Sequence, residues 1–276
     1  MLMRLLLITA LFFLASPARS QEPLQAGKAT ADPKKLMARV AAQLRVTQAL
    51  ASLRPPLTQT ELSAKKRIYE DFIASYPTDA EPHVVFGEFL LSIQQNEEAF
   101  QQWALALTLD PNRHDVLAAQ ADILLQTGQI VLAADTLEKA VVLSPDNAYY
   151  QYGLAHIYTL FRNDLSASRR LTVDELITRG TEYFRRAAEL APDNLGYAKA
   201  YAEAFYTQPK PDWTLARAAW ESLLSRSTEK NLILSHLVRV NIRLCDKKAA
   251  NLHLSALTDP AFASLREKLQ KQIDRL

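Results

Sequence analysis

One phrase recurs in this chain at a nearly fixed interval. An aliphatic run ends in "LDPN" at Leu109–Asn112, another in "LSPDN" at Leu143–Asn147, and a third in "LAPDN" at Leu190–Asn194. Pro77, Pro111 and Pro145 are 34 residues apart, and Pro192 follows after 47. Proline has no amide donor and clashes with the turn before it, so each occurrence ends a helix. The Asn or Asp that follows suits a turn and can cap the next helix. A period of this length means a stack of small helical units, each unable to bury its apolar face alone.

The unit that starts at Ala80 shows what repeats. Val84, Phe86, Phe89, Leu90 and Ile93 lie at helical spacing, and Phe100, Trp103, Ala104 and Leu107 do so again. The two runs meet at Gln94–Asn96, a joint short enough to require an antiparallel helix pair. The unit from His114 has Leu117, Ala121 and Leu124, the turn "TGQ", then Ala133, Leu137 and Ala140. Small residues stand at matching places (Gly87, Ala99 and Ala106; Ala121, Ala133 and Ala140), a bulky one stands beside them (Trp103; Leu137), and a proline closes each unit. Small side chains let helix axes approach, and the bulky one fills the space alongside.

These five positions, matched twice in succession, resemble the tetratricopeptide repeat (TPR) family. The resemblance implies an all-α fold: a right-handed superhelical solenoid of antiparallel helix pairs, with about five repeats plus capping helices. It sets the array at 80–260, as units 80–113, 114–147, 148–194 with an insertion at 162–174, 195–230 and 231–260. Residues 33–79 form a degenerate first pair, with Lys65 and Phe72 where the family has small residues. Residues 261–276 form a capping helix. The insertion falls between two helices, where extra length costs little closure entropy, and Thr172 with Glu175 spells a capping box that restarts the chain as helix.

The resemblance also gives identity to one face. In the family the first helices line a concave groove where peptides bind. The corresponding residues here are Glu81 and Glu88, Asp115 and Asp122, Tyr149, Tyr152 and His156, Lys199, Glu203 and Tyr206, and Arg239. The expected groove is acidic at one end, aromatic in the middle and more basic at the other. For most charged helix positions the plain alternative is a solvated face, and Tyr149 and Tyr152 have the alternative of packing against the insertion. Arg162, Arg169 and Arg170 in the insertion have two readings, ligand contact or solvated loop.

The first twenty residues are read apart from the fold. Arg4, the apolar run Leu5–Leu14, and the small residues Ala18 and Ser20 read as a cleavable signal peptide with its cut after Ser20, the alternative being an uncleaved membrane anchor. Residues 21–32 follow as a flexible linker. The expected location is periplasmic or secreted, with no transmembrane segment in the mature chain and an association with the cell envelope. The leader takes two of the 32 basic residues, Arg4 and Arg19, and none of the 30 acidic ones, so the mature chain carries 30 of each. That balance gives no overall field for nucleic acid. Cys245 is the single cysteine and cannot form an internal disulfide. The five histidines include no pair at i, i+4 spacing and no HExxH, so neither metal nor cofactor is expected, and no catalytic residues are assigned. The function expected is an exported scaffold that holds a protein or peptide partner. A self-associating envelope protein and an enzyme on a helical platform are the other two readings.

Overall fold

The computed structural model describes residues 33–51, 58–168 and 171–276. The leader and linker, 1–32, lie outside these, as do Arg169 and Arg170. Every regular element among the described residues is helical. The chain divides into two compact units between Thr136 and Leu137. No described helix is long and apolar enough to cross a membrane.

The first unit contains α1 (Pro33–Ala51), α2 (Gln59–Ser75), α3 (Ala80–Ser92), α4 (Asn96–Leu109), α5 (His114–Gln126) and the start of α6 (Ile130–Leu143). The Asp79 carboxylate caps α3 by accepting from the Glu81 amide, and Pro82 sits in the first turn, where no intrahelical donor is needed. Helix α3 ends where Gln94 turns left-handed (φ 63°); the Gln95 amide then reaches back to the Leu90 carbonyl and the Gln94 amide to Leu91. The same paired bonds close α5 at Gly128 (φ 77°), through Gln129 to Leu124 and Gly128 to Leu125. This is the Schellman arrangement, for which glycine is the unstrained choice.

Close packing in this unit centres on Gly87. The Trp103 ring lies directly over it, its N–H donating to the Val84 carbonyl at 3.1 Å with the side chain buried. A Cβ on Gly87 would be 2.3 Å from Trp103 Nε1. The degenerate pair also has a packed core. Tyr69 stacks on Phe89 at 4.6 Å and on Phe86 at 5.4 Å, and Phe72 is buried. Large aromatics take the place of the small-residue contacts there.

The second unit contains the rest of α6, α7 (Ala148–Leu160), α8 (Arg162–Ser168), α9 (Val173–Leu190), α10 (Leu195–Ala204), α11 (Trp213–Leu224), α12 (Lys230–Arg243), α13 (Lys247–Ala256) and α14 (Ala263–Ile273). The Asn147 and Asn194 side chains cap α7 and α10, each accepting from two backbone amides. Part of the insertion is the helix α8, anchored by fully buried Leu165. Arg162 in it donates to the Thr159 carbonyl at 2.6 Å, so this arginine closes the end of α7. Thr172 and Glu175 form the reciprocal capping box at the start of α9. Helices α7 and α9 touch through Gly180, where a Cβ would be 2.7 Å from Thr159 Cγ2. At the far end, Leu269 and Ile273 of α14 are buried with Leu234, Val238, Leu254 and Leu257. Each such side chain contributes about 1.5–3 kcal/mol by leaving water. Cys245 occupies the turn after α12 with φ 56° and closes it by the same bonds as Gln94, Asp246 to Asn241 and Cys245 to Ile242.

Candidate binding faces on the first helices

In the first unit, Glu81 and Glu88 lie on α3 and Asp115 and Asp122 on α5, all half-buried. The sequence led us to expect an acidic end, but Arg113 bridges Glu81 and Asp115. Arg113 grips the Asp115 carboxylate with two nitrogens, at 2.9 and 2.7 Å, and reaches Glu81 at 2.7 Å. Gln43 of α1 also donates to Glu81, at 3.2 Å. Burial works against the Arg113 charge, but Asp115 and then Glu81 outweigh it and raise its pKa overall. Arg113 stands at the N-cap of α5, where no side-chain cap bond forms. The capping slot has been given to a residue that links consecutive repeats. Sequence reasoning missed it because it occupies a turn position, outside the first-helix face.

In the second unit, Tyr149, Tyr152 and His156 lie on α7. Tyr149 is half-buried beside Tyr150. Tyr152 is half-buried among rings of three helices. It meets Tyr197 of α10 at 4.4 Å, Phe184 of α9 at 5.7 Å and His156 at 4.4 Å. His156 in turn meets Phe184 edge-on at 4.9 Å. Burial in this aromatic nest pushes the His156 imidazole down to about 4, so it is neutral near pH 7. Burial, then Tyr197 and Glu203, raise the Tyr152 hydroxyl. Two of the three residues of the expected aromatic middle, Tyr152 and His156, are therefore glue between α7, α9 and α10.

The polar members are more open. Lys199 pairs with Glu229 at 3.0 Å, and Glu203 is exposed one turn along α10. Tyr206 falls in a short 3-10 turn, Phe205–Thr207, beyond α10. Its hydroxyl lies 3.1 Å from His236 Nδ1. His236 stacks flat on Trp220 at 4.0 Å, and burial, followed by Arg239 and Lys199, lowers its pKa to about 4. Arg239 is exposed one turn beyond His236, and Arg243 follows with its guanidinium 5.7 Å from the Trp213 ring centre. The structure thus brings Tyr206 together with Arg239 through His236, a residue the sequence had not singled out. Among the described residues, no group of three His, Cys, Asp or Glu side chains is arranged to hold a metal ion.

No family model matches the chain. Solved structures do. YrrB, described as a TPR protein with an unusual peptide-binding site, superposes with a TM-score of 0.57 at 17% identity, covering 74% of this chain and 97% of that one. PilF of Pseudomonas aeruginosa gives 0.53 at 16% identity, covering 87% and 99%. The chain has the tetratricopeptide-repeat fold. A MamA RS-1 double mutant gives 0.51 at 19% identity, covering 68% and 93%. At these identities the likeness concerns the fold. Human anaphase-promoting complex subunit 7 is 33% identical over 73 residues, 24% of this chain and 13% of that protein. The TPR register explains why small residues stand where they do: Gly87 beneath Trp103 and Gly180 against Thr159 are close-approach sites between paired helices.

Proposed function

We infer that this TPR protein is an exported scaffold that docks a protein or peptide segment on the first helices of its repeats, in cell-envelope assembly or secretion. The observation that carries the reading is on α10 and α12. There Glu203, Tyr206 and Arg239 present charged and aromatic groups outward, while the apolar residues of the same segment, Ala202, Phe205 and Leu237, are buried. Aromatic groups with polar tips give large contact area at low entropic cost. The peptide-binding site named for YrrB is consistent with this use of the fold. The leader supports export, and the balanced charge of the mature chain supports a protein partner over nucleic acid. The neighbours in structure are TPR proteins, which favours a scaffold over an enzyme.

The test places a photo-crosslinking residue at Glu203 and at Asp122 on first helices, and at Glu97 and Glu221 on second helices, in the full-length gene expressed in its own host. Crosslinks to one partner from the first-helix positions only are expected, on a mature chain that begins at Gln21. Crosslinks confined to Glu97 and Glu221 would sink the docking assignment, and an intact leader on the mature protein would sink export.

A further inference from the structure

Helices α12 and α14 and the turn after α10 enclose an open cleft of about 720 Å³. Four of its lining residues are cations, Arg239, Arg243, Lys268 and Arg275, and none is an acid. Among the described residues none of the four forms an ion pair. Tyr206 and His236 complete the wall, and His236 is neutral near pH 7, since its pKa lies near 4. Ile242 and Leu265 supply an apolar floor. Four like charges facing one hollow repel each other, and an anionic occupant relieves that repulsion.

Spacing narrows the kind of anion. The Arg239 and Arg243 backbones are about 6 Å apart along α12, and Lys268 on α14 and Arg275 just beyond it line the same cleft. A cleft of about 720 Å³ is far larger than one small anion and has room for a chain segment. An extended peptide sets alternate side chains about 7 Å apart on one side, which matches the step on α12. The concavity disfavours a flat lipid surface, because the cations line a recess that headgroups in a plane do not enter together. The apolar floor and the Tyr206 ring suit the methylene and backbone portions of such a segment.

We propose that this cleft binds an extended acidic peptide segment of the partner, one with Asp or Glu at alternate positions. The inference rests on the docking role given above and adds the chemistry of one end of the ligand. Two of the four cations come from the C-terminal capping helix and its end, so that helix serves binding as well as sealing the core.

The experiment is fluorescence anisotropy on the full mature chain, with a labelled ten-residue peptide carrying Glu at alternate positions. The probe is compared with its Gln counterpart, a ten-nucleotide single-stranded DNA and phosphatidylserine vesicles. The Glu peptide should bind at least about ten-fold more tightly than the Gln peptide, since close charge pairs are worth that much or more, and more weakly as salt rises. Arg239→Glu with Lys268→Glu should abolish binding. The milder pair Arg239→Gln with Lys268→Gln should weaken it several-fold with an unchanged melting curve. Lys247→Glu with Lys248→Glu, exposed on α13, should have no effect. Equal binding of Glu and Gln peptides overturns the proposal, as does DNA or vesicle binding that matches the Glu peptide and is lost in the same variants. If the Glu peptide fails to bind while first-helix crosslinks persist, the acidic ligand is wrong and the docking role stands. If both fail, both fall.

Discussion

Replacing Gly87 with Ala is the sharpest test of why this sequence adopts this packing. The new Cβ would lie 2.3 Å from Nε1, 2.5 Å from Cδ1 and 2.8 Å from Cε2 of Trp103, where unstrained contacts are about 3.5–4.0 Å. The ring is rigid and 1% exposed, so it must retreat by roughly 1 Å into a filled core. That movement stretches its 3.1 Å bond to the Val84 carbonyl beyond hydrogen-bonding range. Overpacking costs about 1–3 kcal/mol and an unpaired buried N–H about 1–3 kcal/mol. Ala in place of Gly within a helix returns about 1 kcal/mol. The net expectation is a loss of about 3 kcal/mol, within a range of about 1–5, read from urea unfolding followed by circular dichroism and tryptophan emission. The next repeat carries Ala121 and Leu137 at the same two positions. Gly87→Ala combined with Trp103→Leu should therefore be more stable than the sum of the single changes by about 1–3 kcal/mol. A Gly87→Ala protein as stable as the parent, or strictly additive losses, would refute the close-approach argument.

Four further outcomes follow from the same structure. Gln94→Gly and Cys245→Gly should each stabilise by about 1 kcal/mol, because both residues are held left-handed where only glycine is unstrained; Gly128→Ala should lose a similar amount although its Cβ has open space. Arg113→Met should cost about 1–3 kcal/mol by removing the cation that bridges Glu81 and Asp115, with partial recovery on adding Glu81→Gln, both measured by thermal melting. His156 is held near 4 when folded and titrates near 6.5 when unfolded. The unfolded chain therefore binds the extra proton between these values, and stability falls as pH drops from about 6.5 to 4. The contribution is at most roughly 3 kcal/mol, and His156→Phe should flatten that limb of the stability–pH curve. Gly180→Ala should destabilise by about 1–3 kcal/mol in urea unfolding, and Thr159→Ser, which removes the Cγ2 that blocks the new methyl, should restore part of it.

The fold was legible because its signals are local and periodic. Proline and asparagine mark helix ends through backbone chemistry, so Asn147 and Asn194 could be read as caps from their place after "SP" and "AP". Thr172 and Glu175 could be read as a capping box from spacing alone. Gly87 announced a close approach because the repeat register assigns a small residue there. The helix within the insertion was not legible, since seven residues with one buried leucine carry no period. The binding faces were legible as positions only. Spacing places Tyr152 and His156 on α7, but only the fold shows that Phe184 and Tyr197 cover them. Likewise Glu81 and Asp115 were named as groove acids, yet their partner Arg113 lies 32 residues from one and two from the other, a pairing no helical period indicates. The cations of α14 belong to a helix whose sequence signals only an amphipathic cap.

Hydrogen exchange on the mature chain, with and without its crosslink-identified partner, tests the central claim most directly. The account predicts that capture slows exchange in the first helices, above all α10 and α12, and in the Tyr206 turn, with α4, α9 and α11 unchanged. Protection confined to those second helices, with α10 and α12 exchanging as before, would contradict it.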